Sequence, residues 1–106
     1  MGRAMKIEKS SGNVFRDLGF NPKEAENLRL RSQLMIELDR LIKSRKLTQR
    51  AAAKLFGVSQ PRVSDLARGK IELFSIDTLI GMLARAGMRI ELRIARPVRR
   101  RRSQAA

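Results

Sequence analysis

Residues 48–70, TQRAAAKLFGVSQPRVSDLARGK, constrain the fold of this chain more than any other stretch. They read as two short helices joined by a tight turn. Thr48 is placed to cap the first helix, because its hydroxyl can accept a bond from an otherwise unpaired N–H. Three alanines, Lys54 and Leu55 propagate that helix. Gly57 follows Phe56, where a helix end wants a left-handed residue without a Cβ. Ser59 caps a second helix two residues later, and Pro61 sits in its first turn, where a missing N–H costs nothing. Gly69 closes it. Helices joined by so short a turn must cross steeply, and small Ala53 falls where they touch. Leu55, Val58, Val63 and Leu66 supply the apolar contacts beneath.

The second helix is left with Gln60, Arg62, Ser64, Asp65 and Arg68 on its outer side. This surface holds hydrogen-bonding and cationic groups and no apolar anchor. A helix-turn-helix that lays its second helix in the DNA major groove needs such a surface. An ordinary helical hairpin with a solvated polar face is the competing reading. Net charge separates the two. The 106 residues carry +14 formally, which favours a polyanionic partner, either nucleic acid or an anionic membrane surface. Residues 47–70 hold five basic groups against one acid, and residues 96–106 hold five against none. The excess is thus greatest in the motif and in the C-terminal tail, where a DNA complex wants it.

At this length one domain with tails is expected. With 42% hydrophobic but only 4% aromatic residues, the core should be aliphatic. No apolar run approaches the roughly 20 residues of a spanning helix, and MGRAMKIEKSSG has no secretory apolar core. Its first six residues only loosely match a myristoylation pattern, since Lys6 replaces Ser or Thr. The chain has no Cys and no His. Disulfides, thiolate metal sites and the usual general base are therefore missing. No phosphate loop or convergent carboxylate pair replaces them, so no enzyme, metal or cofactor is expected, and a cytoplasmic location is.

Residues 1–12 read as flexible, with a weak alternation at 5–8. Residues 13–20, NVFRDLGF, hold Val14, Phe15, Leu18 and Phe20, enough apolar content to expect burial against the next helix or a protein partner. Asn21 and Pro22 begin a long helix, by the cap and first-turn rules, running to about Ser44 or Arg45. Leu30, Leu34, Leu38 and Leu41 form its stripe, widened by Leu28, Met35 and Ile42. Ile36 points away, either as an exposed residue or as a contact for residues 13–20. The remaining face mixes Glu24, Glu26, Arg29, Arg31, Glu37, Asp39, Arg40 and Lys43 and reads as solvated.

Ser75 caps a last helix to Ala86, with Phe74 and Leu79 as a hydrophobic staple. Ile76, Leu79, Ile80 and Leu83 are its expected buried face, and Gly87 ends it. Residues 88–95 then alternate. Met88, Ile90, Leu92 and Ile94 interleave with Arg89, Glu91 and Arg93, the period of a strand. A lone strand needs a mate. Residues 5–8 are one candidate. The same strand in a second copy is the better one, because antiparallel self-pairing sets Glu91 near an Arg of the mate. A basic tail, residues 96–106, follows, expected to be disordered and to serve as a solubilising end or a phosphate-contacting arm.

The motif and its flanks resemble the phage-repressor-like (XRE, Cro/C1-type) helix-turn-helix family, with Ala53, Gly57, Val63 and Leu66 at the family's structural positions. The wider pattern, from SGNVFRDLGF through FSIDTLIGMLARAGMRIELRI, resembles the HigA-like antitoxins of type II toxin–antitoxin modules. The resemblance implies an all-α, lambda-repressor-like five-helix domain over residues 13–95, with one C-terminal strand that pairs in a homodimer. It further implies a palindromic operator in double-stranded DNA and a small RelE/HigB-like ribonuclease toxin as partner. By position, Gln60, Pro61, Arg62, Ser64 and Asp65 lie where the family touches base edges. Gln60 suits adenine and Arg62 guanine. Asp65 suits a cytosine amino group, or holds Arg62 or Arg68 in place. Thr48, Gln49, Arg50, Arg68 and Lys70 fall where phosphate is met.

The leading expectation is a DNA-binding repressor that autoregulates its operon as the antitoxin of a toxin pair. A stand-alone regulator of the same family and a protein-interaction neutraliser without operator binding are the alternatives. An RNA-binding module is disfavoured, since the chain lacks an aromatic stacking platform.

Overall fold

The computed structural model describes residues 13–96, and these form five α-helices with one 3-10 turn between the last two. They are α1 (Val14–Asp17), α2 (Pro22–Ser44), α3 (Gln49–Phe56), α4 (Gln60–Ala67) and α5 (Ile76–Arg85), with the 3-10 turn at Ile71–Leu73. The all-helical expectation holds. Residues 1–12, including the alternating stretch at 5–8, and the tail from residue 97 lie outside the described residues.

The expected caps form. Asn21 Oδ1 accepts from the Glu24 N–H at 2.8 Å, Thr48 Oγ1 from Ala51 at 3.0 Å, Ser59 Oγ from Arg62 at 3.3 Å and Ser75 Oγ from Thr78 at 3.1 Å. Caps of this kind are worth about 1 kcal/mol each. All five helices also end alike. A residue at positive φ reverses the chain, and the next N–H returns to a carbonyl in the last turn, as in Val58 to Ala53 at 3.0 Å or Met88 to Leu83 at 3.0 Å. Four of these residues are glycines, but after α2 the position is held by Lys46 at φ 52.

The core lies where α2, α3 and α5 meet, closed by α4 and the 3-10 turn. Leu38, Ala52, Phe56, Val63, Phe74, Leu79 and Met82 are almost wholly buried. The α2 stripe is confirmed at Met35, Leu38 and Leu41. Ala53 is buried as expected, and Leu55 and Val58 pack against the core from its margin. On α5 the buried face differs from expectation: Leu79, Met82 and Leu83 are inside, while Ile80 is exposed. Met82 lies three residues from Leu79 and three turns the helix by about 300°, so the face runs 79, 82, 83 and 86. Ile80, only 100° beyond Leu79, looks outward.

One expectation is corrected, and one is not met within a single copy. Residues 13–20 are not buried as a block against α2, the first of the two expected sites: Val14, Leu18 and Phe20 are exposed. The anchor is polar instead. Asn13, 6% exposed, caps α1 through Phe15 N–H at 2.9 Å and donates Nδ2–H to the Ala25 carbonyl of α2 at 3.2 Å. Phe15 and Phe20 meet each other edge to face at 6.2 Å. The strand expected at 88–95 is not formed by the single chain. Residues 88–96 carry no regular structure in one copy. Met88, Ile90, Leu92 and Ile94 are all exposed, the last two at 79% and 78%.

Candidate nucleic-acid interface

The turn between α3 and α4 decides where the candidate surface points. Gly57 has φ 72, and a Cβ there would run into the Arg85 side chain of α5. The left-handed step brings Ser59 around to cap α4 immediately. Val63 and Leu66 then turn inward, 1% and 3% exposed, which fixes the rotation of α4 about its axis. At 100° per residue, Pro61 and Arg68 fall opposite these two, flanked by Ser64 and Asp65. Gln60, Pro61 and Arg68 are exposed; Ser64 and Asp65 are half-buried.

Five of the sequence-predicted positions are thereby brought to one face of α4 and its N-terminus. Asp65 forms no ion pair with Arg62 or Arg68, so among the described residues its carboxylate is not held by either arginine. Arg62 stands apart. It lies on the flank next to Leu66, donates from Nη1 to the Leu73 carbonyl at 3.2 Å, and its guanidinium sits 5.3 Å from the centre of the Phe74 ring.

Thr48, Gln49 and Arg50 are exposed at the start of α3. The Thr48 oxygen accepts the capping bond, which leaves its hydroxyl proton free to donate outward. The first N–H groups of α3 and the positive end of its dipole face the same way. Arg68 is exposed and Lys70 half-buried in the turn after α4. Among the described residues, no group of three or more acidic, His or Cys side chains forms a metal site, and no helix is long and apolar enough to cross a membrane.

Sequence reasoning missed three residues that hold this surface in place. Arg31 reaches from α2 with Nη1 to the Ile71 and Phe74 carbonyls at 3.1 and 3.3 Å, while its Nε is steadied by Asn27 Oδ1 at 2.7 Å. It belonged to a mixed-sign face that read as solvated, and no local signal separates it from Arg29 or Arg40, which pair with Glu26 and Glu37 on the same helix. Arg85 covers the Gly57 turn. Phe74, expected only as a staple, is also the plate beneath Arg62.

A family model described as a helix-turn-helix domain matches residues 14–95. Among solved structures, a chain described as a candidate XRE family transcriptional regulator is 34% identical, with 78% of this chain and 90% of that one covered and a TM-score of 0.66. No curated protein sequence matches.

Proposed function

The chain belongs to the XRE helix-turn-helix family, and we propose that it is a DNA-binding transcriptional regulator acting as a repressor. The observation that carries this is the outward orientation of Pro61, Ser64, Asp65 and Arg68 on α4, with Gln60 exposed at its first position, next to the exposed Thr48, Gln49 and Arg50 that begin α3. Base edges are read by Gln60, Pro61, Ser64 and Asp65, and phosphates are met by Thr48, Gln49, Arg50, Arg68 and Lys70. The arginines of the tail add a salt-sensitive arm.

The regulator acts as a homodimer on a palindromic operator. Support comes from the alternating Met88, Ile90, Leu92 and Ile94, which one copy leaves exposed and which a second copy buries by pairing the same segment. Two motifs then meet half-sites about 34 Å apart. The HigA-like pattern adds a second partner, a small RelE/HigB-like ribonuclease toxin, making the protein an autoregulating antitoxin. The exposed Val14, Leu18 and Phe20 on α1 and its following turn offer a surface for it away from α4. A stand-alone regulator keeps the first partner and lacks the second.

Selection of binding sites from a randomised duplex library tests the DNA reading. Enrichment of an inverted repeat supports it, and a pool that stays random after repeated rounds overturns it. A chain ending at Gly87 should sediment as a monomer; a persistent dimer contradicts pairing through residues 88–95. Co-purification of a small basic protein with the native chain decides between antitoxin and stand-alone regulator.

A further inference from the structure

Arg62 differs from its neighbours on α4 in that both ends of its chemistry are already engaged. The Leu73 carbonyl closes the 3-10 turn and accepts no backbone N–H among the described bonds, so the Arg62 Nη1 donor at 3.2 Å is its partner. Phe74 is 1% exposed and embedded in the core, so its ring is a fixed plate, and the guanidinium lies 5.3 Å from its centre. A charge-assisted hydrogen bond and a cation–π contact act on the same group. Arg31 of α2 also engages this segment, through the Ile71 and Phe74 carbonyls. Residues 70–75 are therefore fastened twice, once to the long helix and once to α4. The rotation of α4 agrees. Arg62 lies one helical turn before buried Leu66, whereas Pro61, Ser64, Asp65 and Arg68 point away from the core.

We propose that Arg62 is a positioning residue and not a base reader: it ties α4 to residues 70–75, and so sets binding strength alike for every DNA sequence, while base choice rests with Gln60, Ser64 and Asp65. If Arg62 instead swung out to a guanine, it would give up both contacts and leave the Leu73 carbonyl to water. The DNA part of this proposal rests on the reading above; the tie itself does not.

Two measurements test it. In the free protein, Arg62→Ala should speed amide hydrogen exchange across residues 70–75 with little change in α2. Unchanged exchange there overturns the tie whatever the DNA does. On the enriched duplex and a panel of its single-base variants, Arg62→Ala should weaken binding by a common factor of roughly three- to tenfold, leaving the ratios between sequences intact. Arg62→Lys, which keeps a cation and a donor, should recover part of that loss at a temperature where all the proteins are fully folded. Phe74→Leu should weaken binding too, and the double variant should lose less than the sum. If Phe74→Leu does not fold, the Arg62 variants decide alone. Loss of preference confined to one base pair in Arg62→Ala would make it a reader and overturn the proposal. Failure to enrich any duplex would sink the DNA reading and the affinity part with it, a result distinct from uniform weakening.

Discussion

The Arg85 side chain lies over Gly57, with its Cδ and Cζ 2.7 Å from where a Cβ on residue 57 would stand. Two costs thus meet in Gly57→Ala: a left-handed backbone at φ 72 and a displaced arginine. The first should dominate, at about 1–2 kcal/mol, because the obstructing atoms are the far end of a flexible, exposed chain. Gly69 has nearly the same φ, 70, and open space where its Cβ would go. Gly57→Ala and Gly69→Ala should therefore lower urea-unfolding stability by similar amounts, and adding Arg85→Ala should not rescue Gly57→Ala. A clear excess loss at Gly57, relieved by Arg85→Ala, would show that the arginine is held rigidly.

Lys46 occupies at φ 52 the position that glycine fills after the other four helices. Its carbonyl-directed bonds are in place: Lys46 N–H to Lys43 at 3.2 Å and Leu47 N–H to Ile42 at 2.9 Å. Lys46→Gly removes the Cβ clash of the left-handed step but adds freedom to the unfolded chain. The net should be a gain on the order of 0.5–1 kcal/mol. Chemical unfolding at constant slope measures it, and a loss of stability would mean that the lysine chain makes compensating contacts.

Leu79 and Ile80 are neighbours with opposite fates, 0% and 39% exposed. Leu79→Ala should cost about 2–5 kcal/mol, and Ile80→Ala about 0.5 kcal/mol or less. Comparable losses at the two positions would mean that α5 is rotated from the orientation described.

The Glu26 carboxyl is held below its ordinary value of 4.5, first by the hydrogen bond from Arg29 and then by the charge of that guanidinium, against an opposing effect of burial. A folded-state value below the unfolded one stabilises the fold above the unfolded value and is lost as pH falls through the folded one. The pair is i,i+3 on an open surface, with side chains 34% and 55% exposed, so only a few tenths of a kcal/mol are at stake. Between pH 7 and pH 3 the melting temperature of Glu26→Gln should fall slightly less than that of the wild type. An equal or larger fall in the variant would exclude a stabilising role for the pair.

The helices were legible because their ends are local chemistry. Thr48, Ser59 and Ser75 each cap where the sequence places them, and Gly57, Gly69 and Gly87 each stop where they stand. Lys46 was illegible as a stop, since nothing in a lysine announces positive φ. The face of α5 was misjudged at Ile80 because apolar content alone does not choose between positions 100° apart; packing against α2 and α3 does. Contacts between distant segments were invisible altogether. Arg31 bonds carbonyls 40 and 43 residues away and Arg62 one 11 residues away, and in sequence both look like other surface arginines. The residues of α4 that face outward could be named from Val63 and Leu66; that Arg62 is drawn off that face could not.

Binding by Gln60→Ala/Ser64→Ala, compared with the wild type on an enriched duplex and a composition-matched scramble, separates base reading by α4 from backbone contact alone. The wild type should prefer the enriched duplex by about a thousandfold or more at physiological salt. The variant should keep its fold and its salt-dependent binding to both duplexes but lose most of that preference. A variant that discriminates as well as the wild type would contradict base reading by α4.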